Sequence, residues 1–133
     1  ELGEEAGIPA EFVVKTRRLF DEHVAGFQRA VKAGVKIAMG TDAGTPFNIH
    51  GENAREIILM TEYGFPADEA IRSATSRAAE LLGMEERIGS VAVGRWADFL
   101  ILNGNPLDDI SIFRDPSRIY AVFYKGNPVS REI

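Results

Sequence analysis

The spacing of apolar residues changes character at Gly83, and that change constrains the fold more than any other feature of the chain. Before it, apolar residues recur at threes and fours: Phe12, Val13, Leu19, Phe20, Val24, Phe27, Ala30 and Val31 form one such series, and Ala70, Ile71, Ala74, Ala78, Leu81 and Leu82 another. That period predicts helices with one buried face. After it come the short β-type runs Ile88–Val91, Ala97–Leu102 and Ile119–Tyr124, rich in branched and aromatic residues and separated by Gly- and Pro-containing turns. Residues 1–83 therefore read as α/β and residues 88–133 as mainly β.

Within the first part, Pro9 suits the first turn of a helix and Gly34 its C-terminal end. Val35–Met39 then predicts a short strand, and Gly40-Thr41-Asp42-Ala43-Gly44-Thr45-Pro46 a loop. A second helix is expected from Asn53 to Tyr63, with Ala54, Ile57, Ile58 and Met60 inward and Gly64 ending it. A third runs from Ala67 to Leu82, where Thr75-Ser76 can break it because these side chains compete for backbone hydrogen bonds. Its alanines at 70, 74, 78 and 79 predict close packing against another backbone.

Composition removes several function classes. The chain has 133 residues, 15 Lys and Arg against 20 Asp and Glu, and a net charge of −5. No basic cluster offers phosphates a surface, so nucleic acid is not an expected partner. No stretch reaches the roughly 20 apolar residues that cross a bilayer, and no secretory leader pattern is visible, so no membrane role and a cytoplasmic setting are expected. With no cysteine, disulfides, thiolate metal sites and cysteine nucleophiles are excluded. Neither a Ser/His/Asp signature nor a phosphate loop is present. The first residue is Glu1, which is read as the start of a piece of a longer chain.

Two residues stand out as candidates for chemistry. Asp42 follows a predicted strand, the place where α/β folds gather their ligands, and an ionised carboxylate there can hold a cation or take a proton from water. An Asp in a Gly-rich loop can equally be a turn residue bonding its own backbone. His50, eight residues on, is either a substrate contact or metal ligand, or an ordinary polar residue before a helix. His23, the other histidine, falls within the first helix and reads as a helix-surface or partly buried residue.

Several spaced segments resemble the amidohydrolase superfamily, in its imidazolonepropionase-related and Xaa-Pro dipeptidase-like group. Gly34–Thr45 is similar to strand eight and its loop, and His50-Gly51-Glu52-Asn53-Ala54-Arg55-Glu56 to the segment that follows. Ala70–Thr75, Ala78–Gly83, Arg87–Ser90 and Gly94–Asp98 continue the resemblance in order. It implies the C-terminal portion of a (β/α)8 barrel (last helix, strand eight and following helices, residues 1–83) plus strands of a small β-sandwich (residues 88–133). It further implies one or two divalent metals, usually zinc, in the complete enzyme. Asp42 matches the strand-eight aspartate, a metal ligand that also takes a proton from the hydrolytic water. His50 falls at a substrate-contact position.

The resemblance implies hydrolysis of C–N bonds in a small amide or dipeptide, Xaa-Pro dipeptides among them. A complete (β/α)8 barrel takes about 250 residues. The family's His-x-His pair and further ligands are not in this sequence. The chain alone is therefore expected to be inactive, its partner being the remaining N-terminal part of the barrel. The alternative is a non-catalytic module that binds a partner or a second copy of itself, as a homo-oligomer.

Overall fold

The computed structural model describes residues 7–45 and 47–129. The chain divides into two compact units between Val35 and Lys36.

Among the described residues, the first unit holds one helix, α1 (Ala10–Lys32). Pro9 precedes it in an extended conformation, Glu11 sits in its first turn, and Arg29 and Lys32 occupy its last, matching the helix dipole at both ends. Its apolar residues share a face as their spacing predicts, yet none of the helix residues is buried, and Phe12, Leu19 and Phe20 are exposed. Val24, Phe27, Ala30 and Val31 on the predicted face are half-buried, so the face that the spacing predicts is covered only in part.

The second unit contains three short helices, α2 (Ala54–Glu62), α3 (Ala67–Ser73) and α4 (Ser76–Leu81), followed by strands β1 (Phe99–Leu102), β2 (Ile119–Tyr124) and β3 (Asn127–Pro128). Three helices end alike. Val35 N–H donates to Ala30 O, Phe65 N–H to Met60 O and Met84 N–H to Ala79 O, each across a glycine (Gly34, Gly64, Gly83) with positive φ. The region read as one helix from Ala67 to Leu82 is broken at Ala74-Thr75, where the Thr75 hydroxyl donates 2.7 Å to Ile71 O. The core of this unit is Ile57, Ile58, Met60, Phe65, Ala70, Ala79 and Ile112. Ser73, the one buried polar residue among those described, donates its hydroxyl to Ala70 O at 2.7 Å. Ala70 and Ala79 are buried as the small-residue pattern predicted, but Leu81 and Leu82 are exposed.

Two predicted strands do not form. Val35–Met39 joins no ladder among the described residues, and its one backbone bond to a distant element runs from Met39 N–H to Ser73 O at 2.9 Å. A strand exists only through a paired neighbour, and among the described residues none pairs with this segment. Ile88–Val91 is a series of turns, with Gly89 at φ +85° pressed against α4. The other β runs pair antiparallel in the order β1-β2-β3, with Phe99 opposite Phe123 and Leu100 opposite Val122. The Phe99 and Phe123 rings stack at 4.6 Å.

β2 turns into β3 through Lys125-Gly126, both at positive φ, as a two-residue hairpin requires. The Asp98 carboxylate accepts the Lys125 N–H at 2.6 Å, and the Lys125 ammonium lies 4.4 Å from the centre of the Trp96 ring. Between β1 and β2, two 3-10 turns (Ile110–Arg114 and Pro116–Arg118) are each opened by an aspartate. Asp109 accepts the backbone N–H and hydroxyl of Ser111, and Asp115 those of Ser117. Both carboxyls are held below the ordinary aspartate value, chiefly by these serine bonds and further by Arg118.

Candidate functional site

Asp42 sits where the sequence placed it, in the loop after residues 36–39, and its side chain is exposed. Its backbone takes φ +48°, the left-handed region that Asp and Asn tolerate better than most residues because their short polar side chains bond locally. Among the described residues four hydrogen bonds close the loop, and all four pass through Asn48. Its side-chain amide donates to the Thr41 carbonyl and, at 3.1 Å, to that of Asp42. Its backbone carbonyl accepts the Gly44 N–H at 2.8 Å, and its own N–H donates to Thr45 O at 3.0 Å. The Asp42 carboxylate is left facing solvent while its main chain is pinned.

His50 comes back to the same loop. Gly44, at φ +107°, has no side chain, and a Cβ built there would stand 3.0 Å from His50 Nε2. The imidazole thus packs on the glycine two residues beyond Asp42. The structure brings the two sequence-chosen residues onto one closed loop and leaves His23 in the other compact unit. A small cavity of about 220 Å³ lies beside the loop, lined in part by Thr41, Asn48, Glu52 and Arg55. Asn48 was not singled out from the sequence. Its only signal there is that Asn in a Gly- and Pro-containing loop commonly bonds nearby backbone.

Chemically the loop offers a carboxylate that can accept a proton and an imidazole that can donate or accept one. Among the described residues, no group of three His, Cys, Asp or Glu side chains could hold a metal ion. Asp42 and the Nε2 of His50 are suitable donor types for a borderline cation, but they do not make up the three or more protein ligands such an ion takes. These residues by themselves do not fit a metal centre. No helix among the described residues is long and apolar enough to cross a membrane.

The chain belongs to the amidohydrolase family, whose model matches residues 1–129. It is 35% identical over 122 residues to an ochratoxinase of Aspergillus niger, a match covering 90% of this chain and 25% of that protein. It is 28% identical to an imidazolonepropionase of Syntrophobacter fumaroxidans, across 94% of this chain and 30% of that enzyme. A prolidase solved in complex with N-methylphosphonate-L-proline superposes with a TM-score of 0.83 and 34% identity, covering 98% of this chain and 32% of that one. The chain thus spans about a quarter to a third of the length of these relatives.

Proposed function

We propose that this chain is the part of a metal-dependent amidohydrolase that carries the proton-accepting carboxylate, Asp42, for hydrolysis of a C–N bond in a small amide or dipeptide. An Xaa-Pro dipeptide or an N-acyl amino acid is the substrate class, a reading supported by the likeness to a prolidase and to an ochratoxinase. The observation that carries the proposal is the placement of Asp42: an exposed carboxylate on a pinned backbone, with an imidazole packed two residues away.

In this reading Asp42 takes a proton from the attacking water as the water oxygen bonds the carbonyl carbon. It then gives that proton to the departing amine nitrogen as the C–N bond breaks. His50 contacts the substrate. One or two divalent ions of the zinc class, bound in the complete enzyme, would lower the pKa of the water toward neutrality. Asp42 is the ligand this chain contributes, and the other ligands come from outside the described residues. The chain alone is inactive, and its partner is the remainder of the barrel.

The test is a chimera in which residues 7–129 replace the matching segment of the related prolidase, assayed on an Xaa-Pro dipeptide. The chain alone shows no turnover, the chimera hydrolyses the dipeptide, and Asp42→Asn in the chimera lowers kcat about 10²–10⁴-fold. A chimera whose Asp42→Asn variant keeps its rate overturns the assignment.

Self-association is a second reading. It is favoured by β1, which pairs with β2 alone among the described residues and exposes Leu100 and Ile101. Light scattering that gives a discrete dimer or higher oligomer supports this reading, and a monomer counts against it.

A further inference from the structure

Among the described residues, Asn48 is the one through which every closing bond of the Asp42 loop runs. Its amide bridges two consecutive main-chain oxygens, those of Thr41 and Asp42, and thereby holds Asp42 at a φ that an L-residue rarely adopts. Its backbone meets Gly44 and Thr45 on the other side of the loop, and Gly44 is the surface on which the His50 ring rests. Fixing one side of this loop therefore fixes the other. The two partners of the amide are carbonyl oxygens, so both are satisfied only by a side chain that can donate twice, as an NH2 group does. Asp has the same shape but would direct a carboxylate oxygen at two carbonyl oxygens.

We infer that Asn48 is a positioning residue that sets the backbone at Asp42 and the seat of the His50 imidazole together, coupling the reacting carboxylate to the substrate-contacting ring. The inference rests on the roles proposed for Asp42 and His50, but its geometry is tested apart from them. Asn48 is half-buried and bonds main-chain atoms of the loop, so it acts through the main chain.

The experiment is solution NMR on the 133-residue chain, with His23 as an internal control in the other compact unit. In the wild type, a nuclear Overhauser contact joins the His50 ring to the Gly44 α-protons, and the Gly44 amide is protected from exchange. Asn48→Asp removes the ring contact and speeds Gly44 exchange about tenfold, the equivalent of one lost hydrogen bond. The methyl signals of Ile57 and Ile112 and the ring signals of His23 stay where they were. Asn48→Ala, which removes the donor without adding charge, gives the same pattern and serves if the Asp variant does not fold.

Two results overturn the inference: a ring contact and Gly44 exchange that survive both substitutions, or core methyls that shift along with the loop, which would make Asn48 a general stabiliser. Asp42→Asn keeps the ring contact, because Asn48 binds main-chain oxygens there. Failure of the catalytic role is read in the chimera's turnover, and failure of the positioning role in these spectra.

Discussion

Gly89 lies so close to Ala79 that a Cβ built on the glycine would fall 2.6 Å from the alanine methyl carbon and 2.9 Å from the Thr75 carbonyl oxygen. The glycine is also at φ +85°, so a side chain there would be strained by its own backbone as well as by its neighbours. This contact pins the turns at 88–91 onto α4, where the sequence had suggested a strand. Gly89→Ala is expected to destabilise the chain by about 2–3 kcal/mol, the usual range for overpacking with added backbone strain. Urea denaturation measures it. Adding Ala79→Gly recovers part of the loss by removing the closest contact, and a double variant no better than the single one would place the strain elsewhere.

Ile112 is fully buried within a five-residue 3-10 turn, and α2 packs against that turn. Truncating it to Ala leaves a void beneath the helix that follows the Asp42 loop. The expected cost is about 2–5 kcal/mol in thermal or urea unfolding. A loss below 1 kcal/mol would show that the surroundings collapse freely onto the gap.

Asp98 holds the β2–β3 turn by accepting the Lys125 N–H at 2.6 Å. Asp98→Ala is expected to cost about 1 kcal/mol, and Asp98→Asn less, since an amide oxygen can still accept. Amide exchange at Lys125 should rise in the Ala variant while exchange within α2 is unaffected.

The depressed carboxyls of Asp109 and Asp115 make the two 3-10 turns sensitive to acid. A group whose folded pKa lies below its unfolded value contributes stability that is complete above the unfolded value, about 3.9 for Asp, and disappears as pH falls through the folded one. Stability is therefore expected to be flat above about pH 5 from this source and to decline below about pH 4. Ser111→Ala raises the Asp109 pKa toward the ordinary value, and Ser117→Ala does the same for Asp115. Carboxyl-carbon NMR titration follows both, and a serine variant that leaves its aspartate unshifted would assign the depression to Arg118 instead.

The local punctuation of the chain was legible from sequence. Gly34, Gly64 and Gly83 end their helices in the left-handed conformation that glycine adopts at least cost, and Thr75 breaks the third helix with its own hydroxyl. Asp42 and His50 were singled out through the spacing of the segments that resemble the amidohydrolases, and the family match spans both positions. Asn48 was not. Its importance lies in side-chain bonds to carbonyls six and seven residues back, and these exist only once the loop has closed.

What the sequence by itself determined about this protein is what a few neighbouring residues decide: helix starts and stops, the Gly- and Pro-containing turns between the β runs, and the order of motifs that marks the family. Tertiary structure decided the rest. Val35–Met39 has the composition of a strand but no ladder among the described residues, because pairing depends on a second backbone that local sequence cannot supply. α1 carries a regular apolar stripe of which no residue is fully buried, since periodicity fixes which residues share a face and packing decides how far that face leaves water.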